Sequence, residues 1–321
     1  MAMLGGTAVA GTRSAFAQTP GRTFRLGTLT PSVPIAADSP NGKTLLSALA
    51  AHGYTPGRNL TYEAKASGGT NTRLPKLLDE FKASGVDALV TVGYPATLAS
   101  KASGIPTVVA AGAGDPVATH LIESLAHPGG NVTGISDVAE VLSVKRLSLL
   151  KELLPNLKRV AMLWNRDDLG MSLRYEASAE AAQGMGVAVQ ALGVREPDDF
   201  DGVFEAMDRE PPDAILMVSD ALTNLNRKRV FSYAAAKRLP AIYESDPLVR
   251  DGGLMSYGAD QKESFERAAA LVDRVFRGAK PSDLPFEEPT RYLFVVNLKT
   301  AKDLGLVLPP TLLARADDVI E

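Results

Sequence analysis

From about residue 23 onward, short apolar runs alternate with longer stretches of helical spacing. Arg25-Leu26-Gly27-Thr28-Leu29 reads as a first strand. Between Gly42 and His52, Leu45, Leu46 and Leu49 recur on one face of a helix that Gly53 closes. Leu60 to Ala66 alternates as a strand does. Asn71 to Ser84 predicts a helix with Leu74, Leu77, Leu78 and Phe81 as its buried stripe. Val86 to Val92 is nearly continuous in apolar character, the pattern of a parallel strand covered on both faces. A short helix and a further strand, Ile105 to Ala110, follow. Repeated strand–helix units of this kind predict a parallel, right-handed, doubly wound sheet.

The same grammar then begins again. Val144 to Leu154 is a helix stopped by Pro155, and Arg159 to Leu163 is a strand. Ser172 to Gly184 is an alanine-rich helix, Val187 to Leu192 a strand, and Asp198 to Arg209 a helix. Asp213 to Val218 and Pro240 to Tyr243 read as strands flanking a helix from Leu222 to Lys237. The chain therefore predicts two α/β lobes of similar size, with no Pro- or Ser-rich linker between them. The last helix (Asp260 to Arg277), strand (Arg291 to Asn297) and short helix (Leu298 to Asp303) have no third core of their own. They must return to the existing halves, so several crossovers act as a hinge. The expected division is 23–137 plus 259–289 for one lobe and 138–258 plus 290–321 for the other.

Composition narrows the function. The 321 residues suffice for two cores, and 45% hydrophobic with 22% charged residues is ordinary for a globular chain. A net charge of −3 leaves no basic footprint, so nucleic acid is not an expected partner. No run of 18 apolar residues occurs. The lack of cysteine removes thiol nucleophiles, iron–sulfur clusters, disulfides and a lipobox anchor together. Near the start, Leu4 to Gly11 is small and apolar, and Ala15-Phe16-Ala17 fits a signal-peptidase site with the cut after Ala17. The basic segment that should precede it is missing, which reads as the tail of a longer signal peptide; the alternative is a disordered N-terminus. Residues 1–22 are excluded from the fold on either reading.

Ligands of open parallel sheets sit beyond the carboxyl ends of the strands, at loops leading into helix N-termini. Those loops hold Thr30, Tyr94-Pro95-Ala96-Thr97, Ala111-Gly112 and Asp115 in the first half. In the second half they hold Asn165-Arg166, Ser219-Asp220, Tyr243-Glu244 and, in Ser256-Tyr257-Gly258, Tyr257. Small residues and prolines at helix starts leave backbone N–H groups for an anion such as a carboxylate. Thr97 and Ser219 add hydroxyls. Asp220, Glu244 and Asp115 suit an ammonium group, and Tyr94, Trp164, Tyr243 and Tyr257 suit an apolar or aromatic body. Each has a plainer alternative: Asp115 and Asp220 as helix caps, Tyr243 and Trp164 as core.

Catalytic signatures are mostly missing. Gly112-Ala113-Gly114 begins like a dinucleotide fingerprint, but Val117 stands where the third glycine belongs. The sequence has no Walker A motif, nucleophile elbow or HExxH helix. His52 and His127 lie beside helix-ending or turn glycines, and Asp167-Asp168 and Asp198-Asp199 read as solvated helix starts rather than metal ligands. No catalytic residue, metal or cofactor is expected.

Several segments resemble the ABC transporter substrate-binding family that includes tryptophan- and tyrosine-type uptake proteins. They are Val92-Gly93-Tyr94-Pro95-Ala96, Gly114-Asp115-Pro116-Val117, Leu125 to Gly134, Lys145-Arg146-Leu147, Val160 to Asn165, Leu239 to Tyr243 and Gly252 to Gly258. Asn297 to Lys302 and Leu313 to Asp317 match too. The resemblance covers nearly everything after residue 24, in order. It implies a type I periplasmic-binding fold: two lobes, three crossovers and a ligand cleft between them. It also implies export to the periplasm, docking of a monomer on an inner-membrane ABC permease, and no catalysis. By the same resemblance, Tyr94 to Thr97 and Ala111 to Asp115 hold a ligand carboxylate and Asp220 an ammonium group. The chain departs from many relatives in having Arg166-Asp167-Asp168 where a proline follows Asn165, and Tyr94 where a small residue is common. An arginine there would pair with a second ligand carboxylate. The rival classes are the sensing module of a regulator, which needs a helix-turn-helix, and an α/β enzyme, which needs a cofactor loop or an acid/base pair. The identity of the ligand is not written in the sequence.

Overall fold

The protein is described from a computed structural model covering residues 21–136 and 138–321. The expected leader and the cut after Ala17 lie outside the described residues. The first sheet contains β1 (Phe24–Thr30), β2 (Leu60–Ala66), β3 (Ala88–Val92), β4 (Thr107–Ala111) and β5 (Val132–Gly134). Its order is β2-β1-β3-β4-β5, and every pairing is parallel. Helix α1 (Pro40–Ala51) covers one face together with α10 (Gln261–Phe276), which arrives from far along the chain. Their seam buries Leu26, Leu45, Leu49, Val90, Val108, Phe265 and Val272. Helices α2 (Leu74–Ala83) and α3 (Tyr94–Ser103) cover the other face over Leu29, Leu78, Phe81 and Leu89. Each such fully buried Leu or Phe contributes about 1.5–3 kcal/mol relative to exposure.

The second half runs α4 (Ala139–Leu153), β6 (Arg159–Asn165), α5 (Leu169–Gly184), β7 (Ala188–Val194), α6 (Asp199–Arg209) and β8 (Ala214–Met217). It continues through α7 (Ala221–Leu225), α8 (Arg227–Lys237), β9 (Ala241–Tyr243), α9 (Asp246–Arg250) and β10 (Met255–Ala259). After α10 come β11 (Tyr292–Asn297), α11 (Leu298–Asp303), α12 (Pro310–Leu313) and β12 (Asp318–Ile320). The sheet order is β12-β11-β10-β9-β8-β6-β7. One pairing departs from the parallel expectation: β10 and β11 are antiparallel. The route of the chain requires it, because β10 leads out of the second lobe into α10 and β11 leads back.

Three strands of chain pass between the lobes. They lie after β5, at Asp260, and between Glu287 and Arg291. Backbone bonds tie them: Ser136 N–H donates to Glu287 O at 2.7 Å, Glu287 N–H to Gly134 O at 2.8 Å, and Asp260 N–H to Arg291 O at 3.0 Å. Asp260 also caps α10 and pairs with Arg291. The single helix expected from Leu222 to Lys237 is two helices. The break falls at Asn226, whose φ of −98° and ψ of 6° leave the helical region and whose side-chain amide donates to Leu222 O. Tyr257 lies within β10 opposite Phe294 rather than in a loop. Among the described residues, no helix is long and apolar enough to cross a membrane.

Candidate ligand-binding cleft

A cleft of about 460 Å³ opens between the lobes, where the carboxyl ends of β1, β3 and β4 face those of β6, β8 and β9. The lobes meet at its edges. A Cβ on Gly69 would lie 3.3 Å from Leu225, and one on Gly114 would lie 3.1 Å from the Cα of Gly170. Arg73 braces the Gly68-Gly69 turn by donating to Ser67 O at 3.1 Å.

The first-lobe wall is uncharged at its described lining positions, which include Thr30, Ser32, Gly93, Pro95, Ala111, Gly112 and Ser136. The loops after β3 and β4 press together: Gly93 N–H donates to Ala111 O at 3.0 Å. Gly112, at φ +77°, would carry a Cβ only 3.1 Å from Gly93 N, so a side chain there would crowd Gly93 and strain the backbone. This contact sets the start of α3, with Pro95 in its first turn, against the cleft. First-turn N–H groups carry partial positive charge and suit an anion.

The second-lobe wall carries the ionisable groups. Glu244 is buried and receives Arg146 Nη1 at 2.8 Å on one oxygen and Arg174 Nη1 at 2.7 Å on the other. Arg146 Nε also donates to Tyr257 O at 2.7 Å. Asp220 caps α7: its Oδ1 accepts Thr223 N–H at 2.8 Å, and its Oδ2 accepts Asn165 Nδ2 at 2.6 Å. Burial raises its pKa above the ordinary carboxylate value. Asp168 caps α5 by accepting Met171 N–H on Oδ1 at 3.2 Å. Burial, and then the charge of Asp220, push the Asp168 carboxyl up to about 7. Ser219 Oγ and Asn224 Oδ1 line the same cleft as buried atoms without a hydrogen-bond partner among the described residues.

Of the positions expected from sequence, Thr30, Pro95, Ala111, Gly112, Asn165, Ser219, Asp220 and Glu244 come together on this cleft. The others do not line it. Tyr94 and Ala96 are buried on α3, and Thr97 turns its hydroxyl back to Gly93 O and Thr91 Oγ1 at 2.9 and 3.0 Å. Asp115 accepts the N–H groups of Val117 and Ala118 and closes a turn. Arg166 is exposed and lies along Gly193. Tyr243 is core, set edge-on to Phe231 at 5.2 Å. Tyr257 stacks on Tyr292 at 6.3 Å, and Trp164 on Tyr175 at 3.6 Å. Sequence reasoning missed Arg146, Arg174 and Asp168. The signal was available for the arginines: Arg146 interrupts the buried stripe Leu142, Leu147, Leu150, and Arg174 sits between buried Met171 and Ala182.

Residues 35–320 match the family described as ABC transporter substrate binding protein. The chain belongs to that family. Members of this ABC substrate-binding family bind solutes rather than transform them, are typically periplasmic or extracytoplasmic, and serve an ABC transporter. The tyrosine-binding protein of Clostridioides difficile (strain R20291) is 23% identical over 266 residues, 82% of this chain and 76% of the relative. A conserved domain protein of Vibrio cholerae superposes with a TM-score of 0.86 at 25% identity, covering 93% of this chain and 100% of that one. An ABC domain in complex with L-Trp from Streptococcus pneumonia gives a TM-score of 0.84 at 26% identity over the same shares. The chain is thus a two-lobed substrate-binding protein of an ABC transporter, of the type I periplasmic-binding fold.

Proposed function

We propose that this substrate-binding protein captures a zwitterionic solute, an amino acid or a related amine-bearing carboxylate, and delivers it as a periplasmic monomer to its permease without chemical change. One observation carries the reading: the cleft is bipolar. An uncharged wall built on the start of α3 and the Gly112 loop faces a wall that bears the Asp168 and Asp220 carboxylates. Neither of those two forms an ion pair among the described residues, whereas Glu244 is already matched by two arginines. A ligand carboxylate at the first wall and its ammonium group at Asp220 would complement both. The names of the tyrosine-binding relative and of the L-Trp complex support the same ligand class.

Capture then follows from geometry. The two walls belong to different lobes, so a bound solute makes all its contacts only when the lobes are shut. Binding shifts the open–closed equilibrium by the difference in affinity for the two states. A micromolar ligand supplies about 8 kcal/mol for this at standard state.

The test is native mass spectrometry of the protein as purified, followed by calorimetric titration with amino acids. Asp220→Asn keeps a side chain that can cap α7 but removes the charge. It should weaken the binding of an amine-bearing ligand at least tenfold. Unchanged affinity would refute the role of Asp220, and conversion of the solute to a product by the protein alone would refute the reading as a whole.

A further inference from the structure

The buried Glu244 and Asp168 and the half-buried Asp220 are not equivalent. Glu244 has both oxygens on guanidinium groups. Asp220 spends one oxygen on Thr223 and the other on Asn165. Asp168 is different: it is 3% exposed, it lines the cleft, and its hydrogen bond from Met171 falls on Oδ1. No hydrogen bond to its Oδ2 is found among the described residues. That oxygen is open to a donor in the cleft, and the buried Ser219 Oγ and Asn224 Oδ1 beside it also lack a hydrogen-bond partner among the described residues. Buried polar atoms nearly always have one, so the site points to a group that the protein does not supply.

We propose that Asp168 is a ligand-binding carboxylate working beside Asp220, and that the cleft takes a solute with a carboxylate and two nitrogen-centred cationic groups, the chemistry of a basic amino acid. The proposal rests on the capture reading above and narrows it. A single α-ammonium group at Asp220 would leave the Asp168 oxygen in a low-dielectric pocket without a donor, at the cost of its desolvation. A second ammonium or a guanidinium group answers both carboxylates. Arg174 attracts Asp168 too, but burial, and then Asp220, outweigh it and hold the carboxyl above its ordinary range.

The apolar part of the lining agrees. It is aliphatic, with Leu142, Met171, Leu222 and Leu225 among its side chains and no aromatic ring at its described positions, which suits a methylene stem carrying a charged head. The nearby rings are committed elsewhere: Trp164 to Tyr175, Tyr257 to Tyr292 and Tyr243 to Phe231.

The experiment is calorimetry at pH 8 on the full chain freed of co-purified solute, with L-arginine, L-ornithine and L-lysine against L-leucine, L-tryptophan and L-tyrosine. At least one basic amino acid should bind tenfold or more tightly than either aromatic one. Asp168→Asn should weaken it at least tenfold, and by a larger factor than it weakens L-leucine. Asn can still cap α5, and Asp168→Ser provides a second cap-preserving variant should the first not fold. Tighter binding of an aromatic amino acid, or a basic one indifferent to both substitutions, overturns the proposal. Silence of all six ligands overturns it as well. In that case a small molecule detected in the purified protein by native mass spectrometry would leave the capture reading standing, and its absence would remove that too.

Discussion

At Asp168 a helix cap and a ligand site share one carboxylate, and the fold bears the cost. Its carboxyl is held at about 7 against an ordinary value of 3.8. Between those values the folded protein keeps a proton that the unfolded chain has released, so this group's contribution to stability falls as pH rises from about 4 to 7 and is flat above. Asp168→Asn should therefore raise the melting temperature of the unliganded protein at pH 8 and leave it nearly unchanged at pH 4. The gain at pH 8 is at most about 4 kcal/mol. Equal effects at both pH values in a thermal melt would remove the buried-charge explanation. A residue that destabilises the empty protein while serving its ligand is an ordinary stability–function compromise. Arg146 is the opposite case. It is 2% exposed and holds one oxygen of Glu244. Arg146→Ala would leave a buried carboxylate short of one partner, and denaturant titration should show a loss of about 3–5 kcal/mol.

Elements were legible wherever hydrophobic period alone decided them. The run from Val86 to Val92, of which Ala88–Val92 forms the strand, was read directly because a sheet covered on both faces leaves continuous apolar runs. Leu60–Ala66 was read from its alternation, and the stripe Leu74, Leu77, Leu78, Phe81 from helical spacing. Half of the cleft was legible too, since strand-end loops follow from strand positions. What sequence could not give was the direction of a side chain within a loop. Thr97 and Asp115 turn back to local backbone, which a one-dimensional pattern does not encode. Arg146 and Arg174 reach the cleft from within α4 and α5, a turn or more beyond the helix starts, so a search confined to loops passed over them. Gly258 shows a third kind of failure. Ser256-Tyr257-Gly258 reads as a strand-end loop, yet Gly258 lies inside β10, where a Cβ would stand 1.9 Å from Glu244 O. Gly258→Ala must push β10 away from the end of β9 and shift Glu244 between its arginines. The expected cost is about 3 kcal/mol of stability in a denaturant titration, with weaker ligand binding by calorimetry.

For the whole molecule, the bipolar site exists only when the lobes are together, so affinity must depend on contacts that never touch the ligand. The Gly114–Gly170 approach is such a contact. Gly114 does not line the cleft, yet a Cβ on it would meet the Cα of Gly170 at 3.1 Å, backbone against backbone, at a φ of +70°. Both ways of relieving that clash, shifting the Gly114 loop or parting the lobes, disfavour the shut state. Every cleft residue keeps its identity in Gly114→Ala, so the intrinsic contacts of the closed state are unaltered in kind. Only the fraction of molecules able to make them falls, and apparent affinity falls by that fraction. A tenfold loss corresponds to about 1.4 kcal/mol against closure, a modest penalty beside the cost of forcing a side chain into packed backbone. Calorimetry should show a dissociation constant raised about tenfold or more, and at saturating ligand, small-angle scattering should return the compact radius of the wild type. Full affinity in Gly114→Ala would mean that the lobes close without this contact, and that the hinge strands at Ser136, Asp260 and Arg291 alone set the closed geometry.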